Sequence, residues 1–277
     1  MAALIERLAD GGRGLWLDYG AYASRLLAGG HVPWTDADAA IGWLRKAQGL
    51  LGSDVVTLPV REVAAAWLQM RPELSGAMAA RPRAAHALKT LLADEVLRAQ
   101  LASLATALRS SFGAQALVLA LPSPCHWVAL AHGQAHPGAS VEVDADAVDD
   151  AAVHIADFLR RFADCGLDGV LLEESRESAS ALAESLPLYQ PLLNVAAHYR
   201  WDAGLLMPAD ASVAGVEGLD FLVASEPAAG SVPGLRIPDS FWQGGQAPPR
   251  PDGGFRYAEI PGKAHPESVL ERLASLR

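Results

Sequence analysis

The groups able to do chemistry in this chain sit where apolar runs stop. Asp18 and Tyr19 follow "GLWL", Arg61 and Glu62 follow "DVVTLPV", and His126 stands beside Cys125 in "PSPCHW". Glu173 and Glu174 end "DGVLLEE", His198, Tyr199 and Arg200 end "LLNVAAHYR", and Ser225 and Glu226 follow "LDFLVA". A carboxyl group whose pKa is raised by burial, with an imidazole to hold or pass its proton, makes a general acid–base pair. Glu173, Glu174 and His198 are the catalytic candidates on that ground. Arg61 and Arg200 together would clamp a carboxylate through their forked N–H donors. Asp18 and Tyr19 would orient a substrate or stabilise developing charge, and His126 and Glu226 are further substrate-binding candidates. Any one of these alone is an ordinary strand end meeting water, and Cys125 alone is a small buried apolar residue. The signal lies in their recurrence.

What must position them is a series of short apolar runs, at 14–20, 54–60, 116–123, 168–175, 191–199, 204–210, 219–227, 234–240 and 255–261. None alternates with polar residues, the pattern of strands covered on both faces in a parallel sheet. Amphipathic helices lie between most of them. One spans 35–52 with Thr35 or Asp36 as N-cap and Gly52 as its stop, and one spans 144–166 with an acidic first turn. The region 80–113 reads as two helices broken near "LLADEV", and 265–277 as a closing helix with Pro266 in its first turn. The later strands are joined by shorter links, and "WQGGQAPPRPDGG" reads as a mobile surface loop.

Strands alternating with helices over this length predict a single (β/α)8 (TIM) barrel spanning 1–277. An open doubly wound sheet is the alternative, and no Gly-rich fingerprint follows an early strand to favour it. In a barrel the strand C-termini share one rim, which would gather the polar ends into one site. Consecutive strand residues face opposite sides, so one of Glu173 and Glu174 should point to the barrel axis.

The bulk composition excludes several classes. Of 277 residues 51% are hydrophobic and 19% charged, enough for a sizeable core, and the net charge of −10 argues against a nucleic-acid partner. Two cysteines, no leader-like pattern and no apolar run of membrane-spanning length lead to the expectation of a cytoplasmic protein without membrane contact. Trp34, Trp43, Trp67 and Trp242 leave a helix-mediated homodimer open, with packing onto the barrel as the other explanation.

"LVLALPSPCHW", "FADCGLDGVLLEES" and "LLNVAAHYRW" together resemble segments of the superfamily of uroporphyrinogen decarboxylase and cobalamin-independent methionine synthase. The turn after "LVLAL" is similar to that superfamily's Gly-Pro-Pro-like turn, here with Pro122 and Pro124. "CGLDGVLLEE" looks like the pattern that carries a substrate-binding acid in the synthase, and "WLRKAQGLLGSD" resembles a decarboxylase segment ending Gly-x-Asp. The resemblance implies a TIM barrel and places His198 at a zinc-binding histidine, but Arg200 stands where the cysteine two residues on would be. A thiolate zinc site is therefore not expected, and no other cofactor is implied. Zinc held by His198, Glu226 and Glu173 or Glu174 is the less favoured alternative. Arg13 stands alone where the decarboxylase has an Arg-rich loop.

The expected function is that of a divergent member acting on a small, carboxylated substrate. Decarboxylation, or removal or transfer of an alkyl group, would proceed by acid–base chemistry. The alternative is a non-catalytic barrel that binds a tetrapyrrole, corrinoid or folate-like ligand, or a partner protein.

Overall fold

Eight parallel strands form the centre of the computed structural model, which describes residues 4–10, 13–211, 213 and 216–276. Helix α1 (Leu4–Asp10) precedes β1 (Leu15–Asp18), and α2 (Gly20–Ala28) and α3 (Ala37–Leu51) lead to β2 (Val55–Pro59). Helices α4 (Val60–Met70), α5 (Pro72–Met78), α6 (Ala84–Leu92) and α7 (Glu95–Phe112) precede β3 (Ala116–Pro122). Next come α8 (Pro124–Ala135), α9 (Ala145–Leu159), β4 (Gly169–Glu173), α10 (Arg176–Ala179), α11 (Leu182–Ser185) and α12 (Gln190–Tyr199). Strands β5 (Asp202–Leu206), β6 (Phe221–Ala224), β7 (Val232–Arg236) and β8 (Phe255–Glu259) then follow, and α13 (Pro266–Ala274) closes the chain.

The hydrogen-bonded order β1-β8-β7-β6-β5-β4-β3-β2 runs around a nearly closed ring, so the architecture is the (β/α)8 barrel that the alternation predicts. Strands β1 and β2 share no ladder. Their junction is stitched low down instead. Asp54 and Leu15 exchange N–H···O bonds of 2.9 Å, the Leu17 N–H donates to Ser53 Oγ at 2.9 Å, and Trp16 Nε1 donates to Thr57 Oγ1 at 3.0 Å. Higher up, Pro59 has no N–H to offer.

Alternate residues of each strand face the axis. Trp16, Val55, Val118, Leu171, Phe221, Phe255 and Tyr257 belong to one buried cluster inside the ring, and α1 seals its base with Leu4 and Leu8. The interior holds its aromatic rings by setting glycine against them. A Cβ on Gly204 would lie 2.2 Å from the Phe221 ring, and one on Gly234 would lie 2.6 Å from Phe255. The other strand faces pack under the helices in a larger cluster that includes Leu17, Trp34, Trp43 and Leu44. Asp36 caps α3, accepting the Ala39 N–H at 3.0 Å, and Gly52 ends it in the left-handed conformation.

One predicted strand is a helix. The run "PLLNVAAHY" forms α12, with Leu192, Leu193, Val195 and Ala196 buried and Asn194 and His198 exposed. That i, i+1, i+3, i+4 spacing is a helical stripe, and Pro191 suits a first turn. The fifth strand instead begins at Asp202, after Arg200 has ended α12 at φ 59°.

The Pro/Gly-rich loop is fastened rather than loose. Arg250 donates to the Leu8 carbonyl at 2.9 Å, to the Ala9 carbonyl, and to the Gly254 carbonyl at 2.8 Å. Trp34 and Trp43 are buried edge to face, 5.5 Å apart, so they offer no surface for a dimer. Among the described residues no helix is long and apolar enough to cross a membrane.

Candidate active site

A cavity of about 610 Å³ opens at the C-terminal rim. Its charged walls come from the last inward-facing residues of three strands, Asp18 of β1, Glu173 of β4 and Glu259 of β8, and from the first turn of α4, Arg61 and Glu62. Each strand places its residue by the same parity: Asp18 follows Trp16, Glu173 follows Leu171, and Glu259 follows Tyr257, all axis-facing. Trp16 and Tyr257 form part of the floor.

The Glu173 carboxylate accepts no hydrogen bond among the described residues. Burial is the main force on it and pushes its pKa up to about 7; Arg61 pulls the other way, and the negative charges of Glu62, Asp18 and Glu259 add to the rise. Burial also raises the Asp18 pKa, against the Gly20 N–H that donates to it at 3.0 Å. Arg61 is already engaged, its guanidinium bonded to Glu62 Oε1 at 2.6 and 3.1 Å. Arg236, on β7, donates to Glu259 at 2.6 Å.

Glu174, one residue on, faces the other way and serves a different purpose. It is buried, and its carboxylate accepts hydroxyl protons from Ser123 and Tyr189, each at 2.7 Å, and from Ser178. This ties β4 to α8, α10 and the short 3-10 turn Leu186–Tyr189. His126 belongs to the same support: its Nδ1 donates to the Glu173 carbonyl at 2.9 Å. It does not line the cavity. Tyr19 does, 6% exposed, and its hydroxyl is buried with no hydrogen-bond partner among the described residues.

The structure separates the remaining candidates from this site. β5 pairs with β4 so that Asp202 lies beside Gly169 and Leu206 beside Glu173. His198 and Arg200, which precede Asp202, therefore lie at the base, about 13 Å or more from the rim at ~3.3 Å per strand residue. This corrects both the Glu–His pair and the Arg61–Arg200 clamp; the run that carries them is a helix entering the bottom of a strand. It also dissolves the alternative zinc set built on His198. Glu226 follows β6 at the rim but is exposed and outside the cavity. Among the described residues no three His, Cys, Asp or Glu side chains are grouped to hold a metal ion. The sequence did not single out Glu259, Tyr257 or His31, and it marked Glu62 without giving it a role. For the first two the signal was present, since "FRYAE" ends on the same alternate-residue pattern as "LWLD".

Compared with known proteins, the chain matches no family model, no curated protein and no solved structure.

Proposed function

We propose that this barrel is an acid–base enzyme for a small molecule, with Glu173 as the group that gives and takes the proton. The observation that supports it is an inward-facing glutamate at the rim, its carboxylate accepting no hydrogen bond among the described residues, with a pKa of about 7 in a cavity of substrate size. A carboxyl group poised there is half protonated at neutral pH and serves in either direction. Asp18 stands near it as a second carboxylate, and Arg61, bonded to Glu62, and His31 are the basic side chains of the lining.

The family resemblance belongs to this proposal, and with it decarboxylation or alkyl-group removal; the barrel and the quoted motifs support it. Protonation of a carbon by Glu173 fits both reactions. A carboxylated substrate has Arg61 and His31 of the lining to meet it, since Arg200 lies at the other end. The displacement of His198 favours a second reading, a barrel that binds its ligand without turnover, because among the described residues no imidazole is bonded to the Glu173 carboxylate.

The test uses the proton itself. Incubating the protein with a metabolite pool in D2O and following mass shifts should reveal a compound that is converted or gains deuterium. Glu173→Gln should slow this by on the order of 10²–10⁴-fold. Equal exchange and turnover in the two proteins would remove the proposal.

A further inference from the structure

Tyr257 carries a second polar group that the cavity leaves open. It sits one axis-facing step below Glu259 on β8, lines the cavity, and is only 2% exposed. Its hydroxyl makes no hydrogen bond among the described residues. Unlike the hydroxyl of Tyr19 it is not sealed off, and the surface it keeps belongs to the cavity. A hydroxyl so nearly enclosed is ordinarily paired. A donor left free at the wall of a cavity points to an acceptor that arrives with a ligand.

The ring that carries this hydroxyl is fixed. Trp16 lies beside Tyr257 in the β1–β8 ladder and meets it edge to face at 5.9 Å, and Arg236 flanks it on β7. Strand β8 stands four places from β4 in the ring, so Tyr257 and Glu173 project from opposite walls. Ala120 and Leu171 add apolar surface to the lining. Burial first, and then the charges of Asp18, Glu173 and Glu259, hold the Tyr257 pKa well above the ordinary phenol value. The phenol therefore stays a proton donor while Glu173 gains and loses its proton.

A base and a neutral hydroxyl donor facing each other are the two parts that proton transfer beside a carbonyl needs. The C–H bond yields its proton to the Glu173 carboxylate, and its electron pair becomes the C=C bond of an enolate. The carbonyl π pair moves onto oxygen, where the Tyr257 O–H donates a hydrogen bond to the growing charge. Glu173, now a carboxylic acid, returns the proton to the same carbon or to a conjugated one.

We infer that the site takes an enolisable carbonyl compound and that Tyr257 is the catalytic hydrogen-bond donor to its oxygen. This names the substrate class for the site in which Glu173 is proposed to work, and so rests on that reading for its base.

Exchange in D2O reads the step directly. Cyclohexanone, phenylacetone and 2-oxobutanoate are each followed by proton NMR for loss of the hydrogens beside the carbonyl. At least one should exchange faster than in buffer alone. Tyr257→Phe, which keeps the ring against Trp16, should lower kcat by on the order of 10²–10³-fold with little change in KM. In the infrared, the carbonyl stretch of the bound ketone should lie lower in the wild type than in Tyr257→Phe, a signature that a purely structural tyrosine does not give. No ketone exchanging above the buffer rate, exchange equal in Tyr257→Phe, or a carbonyl stretch indifferent to that change would each overturn the inference. The two readings fail separately. Exchange lost in Glu173→Gln but kept in Tyr257→Phe removes the tyrosine donor alone; exchange lost in Tyr257→Phe but kept in Glu173→Gln removes Glu173 as the base and keeps the donor.

Discussion

The base and the mouth of the barrel are both ringed with carboxylates, and they treat them in opposite ways. At the base, Asp54, Asp168 and Asp220 each accept a backbone N–H from the start of a strand, those of Leu15, Leu117 and Ala203, and Asp202 accepts that of Ile5 in α1. Asp168 is also gripped by Arg7 and Arg109, and Asp54 by Arg13. These acids fasten strand beginnings whose N–H groups would otherwise be unpaired. At the mouth, Glu62 and Glu259 are paired with Arg61 and Arg236, but among the described residues the Glu173 carboxylate accepts no hydrogen bond, Asp18 accepts only the Gly20 N–H, and the Tyr19 hydroxyl is unpaired. Acids bonded to the starts of strands and helices hold a fold together, whereas a carboxylate that accepts no bond in a cavity, as Glu173 does, is available to a ligand.

Mutations at the two ends should therefore move different quantities. Asp168→Ala should have the largest effect, destabilising the protein by about 3–5 kcal/mol in denaturant unfolding, because two arginines and a backbone N–H lose a mostly buried partner. A small loss would mean that the base is not held by its acids.

Glu173→Gln should do the opposite, and only at neutral and higher pH. The folded-state pKa of about 7 lies above the ordinary 4.5, so the wild-type residue opposes folding. That penalty is absent at pH 4, grows between pH 4.5 and 7, and is full above pH 7. The variant should gain up to about 3 kcal/mol at pH 8 and nothing at pH 4. Equal stabilities at both pH values would show that Glu173 is not strained by its site.

Glu174→Ala sharpens the contrast within one dipeptide. It leaves the hydroxyls of Ser123, Ser178 and Tyr189 without their acceptor and should cost about 2 kcal/mol in denaturant unfolding. The smallest effect belongs to Tyr19→Phe. Removing an unpaired buried hydroxyl should raise stability by about 1 kcal/mol, read as a shift of the unfolding midpoint.

Much of the barrel was legible because burial on both faces leaves a continuous apolar run, and eight of the runs do contain strands. "PLLNVAAHY" was misread because a short apolar segment looks alike as a buried strand or a helix stripe; the exposed Asn194 and His198, four residues apart, were the discriminating signal. That one error moved His198 and Arg200 to the wrong end of the molecule. Asp18, Tyr19, Arg61 and Glu173 were legible as strand-end or helix-start residues and do line one cavity. The role of Glu174 was not legible, because its three hydroxyl partners come from other segments.

By itself, the order of apolar runs and helices determined the barrel, since a chain with strands buried on both faces and helices between them has few ways to cover itself. It also determined which polar residues stand at strand ends, because strand parity is local. The tertiary structure alone decided which end each residue occupies, which carboxylates are saturated and which left open, and that no ladder joins β1 to β2. Those depend on contacts between residues far apart in the chain, on the desolvation that only a closed ring provides, and on a ladder that fails to form.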